Sequence, residues 1–156
     1  SVYGGSNTEG NIYGLIDINV TSGTITGNVY GGGRGGIETG TNASAGTTTT
    51  NSVTVTIGDN SGGPSIGGSV YGGSAYGSVN GANLGSVTVT VNDGTITGSV
   101  FGGGQGDSTH TPTVNGDITV NINGGNITLN MINQKTNGDI IDYELEYAMD
   151  YLDKYL

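Results

Sequence analysis

Residues 94–107 read GTITGSVFGGGQGD, and residues 23–36 read GTITGNVYGGGRGG. Each stretch opens like a β-strand and then runs into three consecutive glycines, where a strand should stop. Such a phrase written twice in a short chain points to a repeated structural unit rather than to one local turn.

The wider pattern supports this. The phrase Ser/Asn-Val-aromatic-Gly-Gly begins at Ser1, Asn28, Ser69 and Ser99, at spacings of 27, 41 and 30 residues. Alternating runs precede the later copies: LIDINV (15–20), SVTVTI (52–57) and SVTVTV (86–91). A fourth run, DITVNI (117–122), leads into NGGNITLNMI. Two units match register for register, Val20–Tyr30 against Val91–Phe101, and the unit ending at Tyr71 has four extra residues in its turn, GDNSGGPS.

Each unit reads as strand, Gly-centred turn, short strand, aromatic-Gly-Gly corner and variable loop. Side chains alternate along a strand, so Val87, Val89 and Val91 face inward while Thr88 and Thr90 face out. Stacking the units sets Ile16, Val53, Val87 and Ile118 in one internal column. Ile18/Val55/Val89/Val120 and Val20/Ile57/Val91/Ile122 form two more. One unit cannot bury its apolar face, whereas stacked units share a continuous core. The corner glycines then serve positive φ or close approach of the next coil. The competing architecture is an antiparallel sandwich of hairpins turning at NDG and NGG. A sandwich gives no reason to hold register between units, so the solenoid is expected.

Composition agrees. The 156 residues include 33 glycines, one phenylalanine and no tryptophan, which argues against a thick core of large side chains. Val and Ile dominate the apolar residues, and they suit strands. There is no cysteine, hence no disulfide and no thiolate metal site. Net charge is −10 with only Arg34, Lys135 and Lys154 as cations, so the basic footprint of a nucleic-acid binder is missing. No apolar run reaches membrane-spanning length. The sequence given starts at Ser1 without a methionine and inside a repeat; the expectation is a processed product or a piece of a longer array.

The VYGGG-type phrase joined to VTVTV and TITG runs resembles the Gly/Tyr-rich repeats of large secreted bacterial surface proteins. These are built as right-handed parallel β-helices, similar in plan to autotransporter passenger regions. The resemblance covers residues 1–134. It implies an extracellular or cell-surface location and a structural or adhesive role, and it carries over no catalytic residue.

Candidate sites follow from the repeat. Tyr3, Tyr30, Tyr71 and Phe101 share one position and should stack as an aromatic ladder. Such a ladder either rigidifies the corner or offers a platform for glycan rings. Thr54/Thr56 and Thr88/Thr90 make outward pairs of the kind that organise water on ice-binding solenoids, although Asp17/Asn19 and Thr119/Asn121 interrupt the array. Acids in NDG and GDN contexts, and Asp107 in GGQGD, read as turn formers. No nucleophile, base and orienting group can be picked out together, so no enzyme is expected.

The last segment differs. Asn133–Glu144 follows the template of an EF-hand loop, with Asn133, Asn137, Asp139, Ile141 and Glu144 at ligand positions and Gly138 at the sharp turn. It weakly resembles a degenerate EF-hand or dockerin half-repeat. Lys135 stands where an oxygen ligand is needed, so Ca²⁺ is not the main expectation. Residues 135–156 form an acidic, amphipathic segment. A helix explains its whole length, with Asp142, Glu146, Asp150 and Asp153 on one face; a strand over 140–156 is the rival.

The expected protein is therefore all-β: a short parallel solenoid of about four to five coils over 1–134 with a C-terminal amphipathic cap or docking segment. The function expected is a non-enzymatic structural or adhesive module that stacks head to tail into a surface filament. The alternative is a carbohydrate- or ice-binding module.

Overall fold

The computed structural model describes residues 1–7, 12–35, 52–79 and 85–128. Among these residues the chain is all-β, and every strand pair is parallel. That excludes the antiparallel sandwich. The calls on residues 135–156, helix or strand, fall outside the described residues, as does the calcium-loop candidate Asn133, Asn137, Asp139, Ile141 and Glu144.

Three sheets of four strands run along the molecule. The long sheet holds β2 (Ile16–Val20), β5 (Ser52–Ile57), β8 (Gly85–Val91) and β11 (Gly116–Ile122). The middle sheet holds β3 (Thr24–Ile25), β6 (Ser65–Ile66), β9 (Thr95–Ile96) and β12 (Asn126–Ile127). The aromatic sheet holds β1 (Val2–Tyr3), β4 (Val29–Tyr30), β7 (Val70–Tyr71) and β10 (Val100–Phe101). Each coil visits the three sheets in that order, which is the arrangement of a parallel β-solenoid.

The registers match the repeat. Ile16 pairs with Val53, Val53 with Val87 and Val87 with Ile118. The other two expected columns follow from the same registers, Ile18–Val55–Val89–Val120 and Val20–Ile57–Val91–Ile122. Val53, Val55, Ile57, Val87, Val89 and Val91 are fully buried, while the threonines between them are half-buried on the outer face. Ile66 and Ile96 from the middle sheet and Val29 and Val70 from the aromatic sheet close the core. Each such burial stabilises the fold by roughly 2 kcal/mol.

Two glycine roles shape the coil. The turn from long to middle strand needs a left-handed residue, and Gly23 and Gly94 supply it at φ 86° and 103°. The corner glycines act differently. A Cβ on Gly72 would meet Val87 Cγ1 at 2.5 Å and Val89 Cγ2 at 2.8 Å. The aromatic corner therefore closes directly onto the long strand of the following coil, and its glycine is a matter of space rather than of dihedral angle.

Candidate functional site

The aromatic residues project from the aromatic sheet opposite their valine neighbours, so the coil repeat brings them into one file. Tyr3, Tyr30, Tyr71 and Phe101 stack with ring centroids 4.8, 5.0 and 4.9 Å apart and planes within 1°, 8° and 11°. The spacing is that of neighbouring strands. Both faces of Tyr30 and of Tyr71 are thus covered by the adjoining rings. A sugar ring needs a ring face to stack on, and along this ladder the exposed ring is Phe101 at its end, 44% exposed.

Tyr30 is buried, and its hydroxyl is satisfied. Asn28 Nδ2 donates to it at 2.7 Å, and the hydroxyl donates to Gln105 Oε1. Burial pushes this phenol above its ordinary value; the Asn28 hydrogen bond works against that, and Tyr3, Tyr71 and Tyr76 add to it. Asn28 lies two residues before Tyr30 on the same side of the strand, whereas Gln105 was not legible as a partner because that contact crosses coils of unequal length. A polar file runs beside the rings. Asn28 N donates to Ser1 Oγ at 3.1 Å, Ser69 N to Asn28 Oδ1 at 2.8 Å, and Ser99 N to Ser69 Oγ at 3.0 Å. The recurring Ser/Asn before Val-aromatic was its signal in the sequence.

Beyond Phe101 the chain forms a tight loop. Asp107 Oδ1 accepts from Thr109 N, His110 N and His110 Nδ1, each at 2.8 Å, and from Thr109 Oγ1 at 2.9 Å. The amide of Thr109 first, then the His110 ring, holds this carboxyl far below the usual carboxylate range. Because the carboxylate only accepts, His110 Nδ1 carries the proton. Thr109 Oγ1 lies 2.9 Å from the same nitrogen. Acid and hydroxyl thus share one side of the ring, whereas a relay to a nucleophile needs them on opposite nitrogens. The ring leans on Tyr76 at 5.0 Å, and Gln105, His110 and Pro112 border a shallow depression.

The other turn acids behave similarly. Asp59 Oδ1 takes Ser61 N and Oγ at 3.0 and 2.6 Å, while Asp93 binds Gly62 N at 3.0 Å and Gly94 N at 2.7 Å. They stabilise corners. No group of three or more His, Asp or Glu side chains is placed to hold a metal among the described residues. Nor does any helix among them have the length and apolarity to cross a membrane.

On the outer long face Thr54 pairs with Thr88 and Thr56 with Thr90, which makes two rows of hydroxyls. The flanking rows carry Asp17/Asn19 and Thr119/Asn121, so the array ends there, and Asn121 Nδ2 reaches Thr90 Oγ1 at 3.4 Å.

Among the described residues the last coil, β11 and β12, presents an exposed apolar surface. Ile118, Val120 and Ile122 belong to the three internal columns, yet they are 47%, 41% and 51% exposed. A core cross-section is laid open here, bordered by the strand edge of β11. Comparison with protein-family models, curated proteins and solved structures finds no match to this chain.

Proposed function

We propose that this chain is a non-enzymatic structural and adhesive module of an extracellular surface protein or filament, in which coils stack end to end. The open column Ile118–Val120–Ile122 carries the reading. Apolar side chains that continue a buried file, beside a strand edge that is unpaired among the described residues, form a template for a further strand. We read the stack as right-handed, the hand that parallel strand crossovers take. Arrayed rings, hydroxyls and turn carboxylates stiffen such a rod and present a uniform surface.

Sedimentation velocity and electron microscopy of the whole chain, from micromolar to millimolar, test this. Rods that lengthen with concentration are expected, and Val120→Lys should stop their growth without changing the far-UV circular dichroism. Monomers throughout the range would overturn the filament reading.

A second reading has one observation in its favour: the exposed face of Phe101, backed by the stack behind it, is a site of the kind that sugar rings use. Glycan binding lost in Phe101→Ala and kept in Val120→Lys would select it.

A further inference from the structure

The adhesive half of the proposed function, on which this inference rests, calls for a ligand site, and one lies in the loop after β10. Two chains of hydrogen bonds end at the depression that Gln105 and His110 border, and each has its direction fixed.

The first chain starts at a main-chain amide. Ser69 N donates to Asn28 Oδ1 at 2.8 Å, so Asn28 Nδ2 is the end that donates to the Tyr30 hydroxyl, at 2.7 Å. The single proton of that hydroxyl goes to Gln105 Oε1. Gln105 therefore offers its side-chain N–H groups, which have no partner among the described residues. The second chain starts at Asp107, whose carboxylate accepts from His110 Nδ1 at 2.8 Å. His110 Nε2 is left as an acceptor, again with no partner among the described residues. Both groups are set before a ligand arrives, because Tyr30 is buried and the imidazole leans on Tyr76.

We propose that this depression binds a neutral sugar ring, one hydroxyl accepting from Gln105 Nε2 and another donating to His110 Nε2, over the ring of Pro112. A hydroxyl both donates and accepts, so it matches both groups. An anion only accepts, and it would face the Nε2 lone pair and the Asp107 charge. A metal ion takes the lone pair but meets the Gln105 hydrogens. Because the two ring nitrogens diverge, it reaches Nε2 or Asp107 and not both. A peptide would add to a strand edge, and residues 102–113 hold no strand. The floor suits a ring. Pro112 fills the space over Gly104 and Gly106, where a Cβ would meet its Cγ at 2.9 Å and its Cδ at 3.0 Å. The depression measures about 390 Å³, at the lower end of ligand sites, which run from roughly 300 to 1,000 Å³.

A nitrogen-resolved NMR titration of the full chain tests this, with neutral, uronic-acid and sulfated oligosaccharides, and with Zn²⁺ and a short unstructured peptide as counter-probes. Neutral sugars should shift the Gln105 side-chain amide and His110 Nε2. Gln105→Glu keeps the shape and the acceptor for Tyr30 but removes both donors, and it should weaken binding about tenfold or more, as should His110→Phe. If His110→Phe disturbs the loop, the Gln105 amide of the parent still decides. Neutral sugars that bind with both signals unmoved, or whose binding is lost only in Phe101→Ala, would overturn this site and leave adhesion in place. Acidic sugars, Zn²⁺ or the peptide moving these signals in place of neutral sugars would overturn the ligand class. Binding of no oligosaccharide would remove the site and glycan adhesion together.

Discussion

A methyl group on Gly72 would lie 2.5 Å from the carbonyl oxygen of Gly102, the glycine that takes its place one coil on. Backbone cannot yield there without parting two coils. Gly72→Ala should therefore destabilise the chain by about 3 kcal/mol, as overpacking of a closed interior does. Gly103 is the contrast, since nothing lies within 4 Å of a Cβ built on it. Gly103→Ala should stay within roughly 0.5 kcal/mol of the parent. Urea unfolding of both variants decides whether space, rather than turn geometry, selects glycine at the corner.

Val89 and Val120 occupy one column but different environments, the first fully buried and the second 41% exposed. Val89→Ala opens a cavity between neighbours on both sides and should cost about 2 kcal/mol. In dilute protein Val120→Ala should cost less than half as much, and the difference should shrink as the protein concentration rises and the end is covered. Thr88→Val, on the outer face of the same strand as Val89, should shift stability by no more than about 0.5 kcal/mol. Thermal melts at two protein concentrations separate these outcomes.

The columns and their register were readable because period-two alternation leaves one inward set per strand, and a slip of one residue would turn Val89 out and Thr90 in. The ladder was readable for a similar reason: one aromatic per repeat at one position must stack if the repeats stack. Less visible was why the corner holds glycine. The sequence permits positive φ or close approach equally, and the structure assigns the first to Gly23, where nothing lies within 4 Å of a Cβ, and the second to Gly72. The distant partner of Tyr30 was hidden further. Gln105 lies 75 residues away, and loops of unequal length carry no periodicity from which to infer that contact. Nor does alternation reveal that Tyr30 and Tyr71 lose both faces to their neighbours; that follows from the strand spacing.

Tyr30 makes the ladder sensitive to alkali. Its hydroxyl is raised chiefly by burial, so the unfolded chain releases this proton at lower pH than the folded one. A group raised in this way contributes stability that is whole below the unfolded phenol value of about 10 and lost as pH rises through the folded value. The melting temperature should fall above pH 10 more steeply in the parent than in Tyr30→Phe. At neutral pH the same variant should lose about 1 kcal/mol, because the hydroxyl no longer joins Asn28 to Gln105. A parallel decline of both proteins in alkali would mean that the hydroxyl is not buried in solution.

Asp107 sets the opposite limit. Four donors from Thr109 and His110 meet its Oδ1, and they favour the charged form, so the folded carboxyl is depressed. A depressed acid contributes its stabilisation above the unfolded value, near 3.9 for aspartate, and loses it as pH falls from there toward the folded value. The loop should hold from neutrality to about pH 4 and open below it. Asp107 is exposed, so the effect belongs to the loop and not to the core. Asp107→Asn imitates the protonated state at neutral pH. Amide exchange at Thr109 and His110 should quicken by at least an order of magnitude in that variant, while Val87 and Val89 keep their protection. Exchange that rises equally at all four positions would show the loop and the coil stack opening as one unit, and the turn would then be part of what holds the solenoid together.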